Sequence, residues 1–235
     1  MVPDSGFVLS LSTMNEENAQ YSIHVSGLAQ PVVATNVYCI GRNYAAHILE
    51  LGNSVPSEPI VFLKTVTSLR SLRSGDLAHE HETFHHEAEL VLLIGKPVPR
   101  GRSAGWDAVQ GLGLGIDLTR REVQTALKAK GLPWAAAKSF AGAGLLSDFI
   151  VPSELPDLSS ITFAFSVNGT LRQHGDSALM LNPVPALLTH IAQTNRLIPG
   201  DLIFTGTPAG VGPMRQGDHF TLEFLQIAKR FDGRL

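Results

Sequence analysis

Apolar and polar positions along this chain switch between two periods, and the switches mark its elements. Leu90 to Ile94 is an unbroken apolar run, entered through Glu87-Ala88-Glu89 and left at Gly95. The stretch Glu87 to Gly95 reads as an interior strand. Ile161, Phe163, Phe165 and Val167 alternate with Thr162, Ala164 and Ser166, and Asn168-Gly169 then leads into Thr170 to Gln173. That is the signature of a hairpin on a type I′ turn. Val37 to Ile40, Ile60 to Lys64, Gly111 to Ile116 and Leu202 to Thr205 give further strands. Phe220, Leu222 and Phe224 alternate in what reads as the final one. Helical spacing covers Ala45 to Leu51, stopped at Gly52-Asn53, and Val184 to Asn195 with Val184, Leu187, Leu188 and Ile191 on one face. After Asp117, Thr119-Arg120-Arg121-Glu122 fits a capping box. It predicts Thr119 as the N-cap of a helix to about Lys128, ended near Gly131-Leu132-Pro133. Leu69 to His79 (with a turn at Ser74-Gly75-Asp76), Pro97 to Gly105 and the glycine-rich Gly206 to Gly212 read as irregular. Strands outnumber helices and no linker or repeat divides the chain. The pattern predicts one α+β domain rich in β structure.

Composition narrows the function classes. Of the 235 residues, 44% are hydrophobic and 17% charged, ordinary for a chain that buries a sizeable core. Basic residues number 18 against 21 acidic, a formal charge of -3, without a basic stripe. Nucleic acid and anionic membrane surfaces are therefore not expected partners. No apolar run approaches the ~20 residues of a membrane span. Cys39 is the sole cysteine, which rules out a disulfide within the chain and fits a reducing, cytoplasmic location. Residues 1–35 read as a polar extension with a lead-in strand, without the pattern of a secretory signal. Met14 marks Met1 to Thr13 as a start-site extension, and 36–235 is the expected catalytic domain.

Three carboxylates carry the candidate chemistry. Glu87 and Glu89, two apart in a strand, project to one face. Burying them together is costly without a cation between them. Asp117, at a strand-to-helix turn, supplies a third oxygen donor. An all-oxygen set suits Mg2+, Mn2+ or Ca2+ rather than Zn2+. His81-Glu82-Thr83-Phe84-His85 overlaps this stretch and matches His-Glu-x-x-His, but that motif needs a helix where a strand is about to begin. Glu122, an available third ligand for it, is taken by the capping box. The histidines at 79, 81, 85 and 86 are read as loop residues and neighbours. On spacing alone, His47 and Glu50 are a surface pair three apart on one helical face, and Lys138 is a surface lysine whose stem lies along apolar neighbours. Gly206 to Gly212 has neither the lysine of a phosphate loop nor dinucleotide spacing, which excludes a nucleotide role.

Taken together and in order, the motifs resemble the fumarylacetoacetate hydrolase family. They are Gly41-Arg42-Asn43-Tyr44-Ala45-Ala46-His47, Glu58 to Lys64, His85-His86-Glu87-Ala88-Glu89-Leu90, Asp117 to Gln124, Lys130 to Trp134 ahead of Lys138-Ser139-Phe140, Val167-Asn168-Gly169, Pro199-Gly200-Asp201 and Thr205 to Gly212. The resemblance is nearest to small acylpyruvate hydrolase, oxaloacetate decarboxylase and oxaloacetate tautomerase members. It implies a mixed β-roll with few helices, a homodimer, and Mg2+ or Mn2+ on Glu87, Glu89 and Asp117, with Ca2+ able to substitute in crystals. It also implies a water-activating pair on His47 and Glu50, which reverses the surface reading, an active-site lysine at Lys138, and substrate contacts from Gln124, Thr207, Arg42, Lys64 and Arg121. The implied substrate is a small 2-oxo acid. The expected reaction is hydrolysis of a carbon–carbon bond in an acylpyruvate such as fumarylpyruvate, as in aromatic degradation, with oxaloacetate tautomerisation or decarboxylation as the alternative. In the expected mechanism the metal chelates the 1-carboxylate and 2-oxo oxygen, His47 activates water, and Lys138 stabilises the developing charge. Three departures stand out: Arg120 where a small residue is usual, suggesting extra positive charge at the entrance, a linker from Leu69 to Phe84 rich in His and Glu, and a divergent stretch beyond Asp218.

Overall fold

The computed structural model describes residues 20–72 and 83–235. In chain order its elements are β1 (Ser22–Ile23), β2 (Val32–Val33), β3 (Val37–Gly41), α1 (Ala45–Glu50), β4 (Ile60–Lys64) and β5 (Leu69–Ser71). After the undescribed stretch come β6 (Thr83–His86), β7 (Ala88–Ile94), β8 (Val109–Asp117), α2 (Arg121–Ala129), α3 (Ala135–Lys138) and β9 (Gly144–Leu146). The chain continues with β10 (Thr162–Val167), β11 (Thr170–Asp176), α4 (Val184–Thr194), β12 (Leu202–Phe204), β13 (Gly212–Arg215), β14 (His219–Phe224) and β15 (Lys229–Arg234). This is the mixed β-roll with few helices that the sequence led us to expect.

A seven-stranded mixed sheet runs β4-β3-β12-β7-β8-β9-β5, and a four-stranded antiparallel sheet runs β11-β10-β14-β15. β7 lies in the middle of the large sheet, between β12 and β8, and both of its faces are covered. Leu90, Leu92 and Ile94 join Leu112, Leu114, Phe163, Phe165 and Leu222 in the core shared by the two sheets. Val91 and Leu93 face a second cluster with Val37, Cys39, Phe149 and Phe204. A strand buried on both sides needs no alternation, which accounts for the unbroken apolar run. β8 solves the same problem with glycine. A Cβ on Gly113 would stand 2.6 Å from the Phe149 ring, and one on Gly115 would stand 2.8 Å from Phe204. The bare backbone therefore makes room for two aromatic rings on the second face.

Several sequence-based expectations change. The hairpin is as predicted, with Asn168 at φ 49° and Gly169 at φ 76°. Leu69 to Ser71, expected to be irregular, is instead an edge strand parallel to β9 with Leu69 buried. The predicted turn at Ser74-Gly75-Asp76 lies outside the described residues. Phe224 does not end the last strand: β15 pairs with all six residues of β14 and sets Phe231 edge-on against Phe224. The capping box does not form either. α2 begins at Arg121, and no side chain caps it. Thr119 is held extended by a two-way backbone bridge to His85, and its hydroxyl accepts from Lys138 instead. Glu122 is an exposed residue of the first turn.

Candidate active site

Antiparallel pairing of β7 with β8 brings the carboxylates together. The Asp117 N–H donates to the Glu87 carbonyl at 2.8 Å, and Glu89 stands opposite Gly115. Glu87 occupies the single-residue break between β6 and β7 rather than a strand position. Its carboxylate still converges with the other two. Oxygens of Glu87, Glu89 and Asp117 lie within 4.8 Å of one another, and all three residues are buried.

Cations are built into the same floor. The short helix α3 delivers Lys138, which is 2% exposed, so the surface reading from composition is wrong for this residue. Its Nζ donates to Glu87 Oε2 at 2.7 Å, Asp117 Oδ2 at 2.7 Å and Thr119 Oγ1 at 2.6 Å, using all three ammonium hydrogens. Lys64, at the end of β4, places Nζ 2.7 Å from Asp117 Oδ1 as an ion pair outside hydrogen-bond geometry, and also donates to the Lys138 carbonyl. Arg121 opens α2 by pairing with Glu87 Oε1 and donating to Gln124 Oε1 at 2.8 Å. Arg120, expected to charge the entrance, instead stacks its guanidinium 4.3 Å from the Phe140 ring centre and does not line the cleft.

These neighbours drive the two glutamates apart. Burial alone would raise the Glu87 carboxyl, but Lys138 and Arg121 overcome it and hold the group well below the ordinary range. Burial and the charges of Asp117 and Glu87 push Glu89 well above that range, against the lesser pull of the Gly206 N–H and Lys138. Among the described residues Glu89 has no cation partner: Gly206 donates to its Oε2 at 2.6 Å. A buried carboxylate of this kind, beside two others and with oxygen donors only, fits a divalent cation, which would keep Glu89 ionised. Burial would lower the Lys138 pKa, but Asp117 and Glu87 raise it on balance, so the lysine stays charged.

The opposite wall comes from α1 and the glycine-rich loop. His47 is buried, and its Nδ1 lies 3.3 Å from Glu50 Oε2. Glu50 Oε1 accepts from the Gly210 N–H at 3.0 Å. The loop excluded as a phosphate cradle therefore supplies backbone donors to two glutamates, Glu89 and Glu50. Arg42, His47, Glu87, Glu89, Arg121, Gln124, Lys128, Trp134, Lys138 and Thr207 line one cleft. All eleven sequence-predicted site residues meet here: Asp117 and Lys64 under the floor, Glu50 behind His47, and the other eight on the lining. His81 and Glu82 of the zinc-protease pattern lie outside the described residues, and its last three positions, Thr83 to His85, are in a strand paired with β13 where the pattern calls for helix.

Gln173 was not foreseen. It is buried in β11, and its side chain ties three segments together. Oε1 accepts from the Ala88 N–H at 2.9 Å and faces His86 Nδ1 at 3.0 Å, while Nε2 donates to Thr207 Oγ1 at 2.7 Å and the Pro208 carbonyl at 2.9 Å. Thr207 in turn donates to the Ala88 carbonyl at 2.9 Å. The signal available in sequence was a lone amide in an alternating hairpin strand, which names no partner.

Residues 36–230 match the family described as fumarylacetoacetate (FAA) hydrolase, C-terminal. The chain belongs to the fumarylacetoacetate hydrolase family. It is 39% identical over 185 residues to the mitochondrial oxaloacetate tautomerase FAHD1 of Bos taurus, covering 78% of this chain and 84% of the relative. It is also 39% identical over 193 residues to the oxaloacetate tautomerase YcgM of Escherichia coli, covering 81% and 88%. The crystal structure of fumarylpyruvate hydrolase from Pseudomonas aeruginosa in complex with Mn2+ and pyruvate aligns with a TM-score of 0.83 at 29% identity, over 92% of this chain and 96% of that one. Among the described residues, no helix is long and apolar enough to cross a membrane.

Proposed function

We propose that this chain is a divalent-metal-dependent enzyme of 2-oxo acids and that oxaloacetate keto–enol tautomerisation is its reaction, carried by the domain from 36 to 235. The observation that carries the metal is Glu89, buried against Glu87 and Asp117 with no cation partner among the described residues. The substrate reading follows the relatives, two of which are named oxaloacetate tautomerases. It reverses the order of the two activities expected from sequence. Glu87, Glu89 and Asp117 would hold Mg2+ or Mn2+, which when bound supplies Lewis acidity toward the 1-carboxylate and 2-oxo oxygens.

The chain's own residues do the rest. Lys138, kept charged by its two carboxylates, would lend its positive field to the negative charge that grows on the 2-oxo oxygen. Arg121 is aimed by Glu87 and Gln124, and Thr207 is fixed by Gln173. His47, held by Glu50, takes a proton from the carbon between the two carbonyls and returns one to the enol oxygen. Acylpyruvate cleavage is the second reading. It is favoured by the His47–Glu50 pair, which is also the geometry for activating water, and by the likeness to a fumarylpyruvate hydrolase.

The test is the ultraviolet absorbance of the oxaloacetate enol, of acetylpyruvate and of fumarylpyruvate, each with Mn2+ and with Mg2+. The expected outcome is metal-dependent enol–keto exchange well above the metal blank and slower loss of the acylpyruvates. Turnover of fumarylpyruvate without acceleration of oxaloacetate exchange would install the second reading instead.

A further inference from the structure

A single peptide unit stands between Glu89 and a buried amide on the far side of the floor. The Gly206 N–H donates to Glu89 Oε2 at 2.6 Å, and the carbonyl of the same peptide, on Thr205, accepts from Asn43 Nδ2 at 2.9 Å. Asn43 is 1% exposed, lies two residues before α1 and does not line the cleft. Its carboxamide is committed in full. Nδ2 also donates to the Asn182 carbonyl at 3.1 Å, while Oδ1 accepts from the Asn182 N–H at 2.9 Å and from Asn182 Nδ2 at 3.3 Å. The Asn43 carbonyl accepts from the Leu181 N–H at 2.8 Å. The residue is therefore clamped from behind by 181–182 and reaches forward to one acceptor, the Thr205 carbonyl.

That peptide needs a hold. Gly206 sits at φ 97°, and glycine accepts either orientation of the peptide before it. Turned over, the peptide would set the Thr205 carbonyl against Glu89, oxygen against oxygen. The bonds from Thr205 N and Oγ1 to the Leu90 carbonyl fix the chain before this peptide and not the peptide itself. The approach of Asn43 also explains the glycine, because a Cβ at position 206 would stand 2.8 Å from the Asn43 Cβ. We propose that Asn43 is a positioning residue for Glu89, acting through the Thr205–Gly206 peptide: its amide holds the carbonyl so that the N–H stays on Glu89 and the carboxylate keeps its place beside Glu87 and Asp117. Accepting from Asn43 also polarises the peptide and strengthens the Gly206 N–H as a donor. The proposal rests on the metal reading of the three carboxylates given above and adds what keeps one of them in place before an ion arrives.

The experiment compares wild type, Asn43→Ala and Asn182→Ala. The last loses the 3.3 Å bond behind Asn43 and leaves the contact with Thr205 intact. Mn2+ affinity is read by calorimetric titration, and the Gly206 amide proton by NMR on the metal-free protein. Asn43→Ala is expected to weaken Mn2+ binding about tenfold and to move the Gly206 proton upfield as its bond to the carboxylate loosens. Asn182→Ala should do neither. A lower melting temperature in Asn43→Ala with Mn2+ affinity and the Gly206 proton unmoved would make Asn43 a packing residue and overturn the proposal. If Asn43→Ala does not fold, the wild type decides by spin coupling across the two hydrogen bonds, from Asn43 Nδ2 to the Thr205 carbonyl carbon and from the Gly206 nitrogen to the Glu89 carboxyl carbon. Both couplings uphold the relay, and the absence of either overturns it. A wild type that shows both couplings yet takes up no Mn2+ would remove the metal reading, and the positioning role would go with it.

Discussion

The floor and the α1 wall face each other across one cleft and are built on opposite principles. The floor is carried by β7 and β8 inside the large sheet, and every charge there except Glu89 has a partner: Asp117 is fully buried between Lys64 and Lys138, and Lys138 has spent all its hydrogens. The α1 wall is a six-residue helix with Leu49 78% exposed. His47 and Glu50 are tied down there by their own contact and by the bond from Gly210 to Glu50. A group that must stabilise charge works best when it is fixed before the charge appears. A group that must take and give protons needs reach and a partner, but not a lattice of ion pairs. Under the proposed function the difference would give polarisation to the floor and proton traffic to the wall, and each half can be broken separately.

The largest effect should come from the floor. Asp117→Asn removes the charge shared by two buried lysines, leaving Lys64 without an anion and Lys138 with Glu87 alone. Breaking a buried ion pair from one side costs about 3–5 kcal/mol. The variant should melt well below wild type, and Mn2+ should no longer raise its melting temperature, whereas in wild type saturating Mn2+ should raise it through preferential binding to the folded state. Calorimetric melting with and without Mn2+ reads both. A variant that melts like wild type and still responds to Mn2+ would show that the floor is not the ion-pair cluster described.

The wall should fail more selectively. His47→Ala removes the proposed proton-transfer group and leaves every floor contact intact. General acid–base loss predicts a drop of roughly 10²–10⁴-fold in oxaloacetate enol–keto exchange and in any acylpyruvate cleavage. Metal-dependent decarboxylation of oxaloacetate should persist within a few-fold, because the departing CO2 leaves its electron pair on the polarised carbonyl and no proton need be removed first. Parallel ultraviolet and CO2-release assays make the comparison. Equal loss of all three reactions would merge the two halves into one device.

The two halves were also unequally legible in the sequence. Glu87 and Glu89 were readable because like charges two apart beside an apolar run make sense only with a cation, and Asp117 because it ended a strand at a turn. The three carboxylates converge although Glu87 sits in a break between strands, because convergence does not require a regular pleat. Lys138 and His47 were not readable from local pattern, which placed them on the surface; they are buried, as the ordered family motifs implied, while Glu50 beside His47 is exposed. The reason is physical: whether a lysine on a four-residue helix is buried depends on carboxylates that arrive from β7 and β8, far away in the chain. Thr119 failed for the same reason in reverse. Its local pattern fitted a cap, but a bridge to His85 and the demand of Lys138 for a third acceptor claimed it first. β15 escaped because Phe231 is its one large apolar residue, too little alternation to read.

Gln173 joins floor and wall, and it is the gentlest place to break the comparison. Its amide holds the Ala88 N–H, between Glu87 and Glu89, to Thr207 on the strand-to-loop turn that carries the Gly206 donor to Glu89. Gln173→Ala leaves the Ala88 N–H and the Pro208 carbonyl buried without this partner, while Thr207 keeps its bond to the Ala88 carbonyl. Unsatisfied buried groups of this kind cost about 1–3 kcal/mol in stability. The ligands themselves are untouched, so Mn2+ should still bind, with its affinity lowered a few-fold as the Glu87-Ala88-Glu89 segment loses its tether. Gln173→Glu should be worse than alanine for the metal-free protein, because it keeps the acceptor but swaps two donors for a further negative charge beside Glu87. Melting curves on the metal-free and Mn2+-loaded forms order the three proteins. The ranking expected without metal is wild type, then alanine, then glutamate, and a glutamate variant as stable as wild type would mean that the Gln173 amide donors hold nothing together.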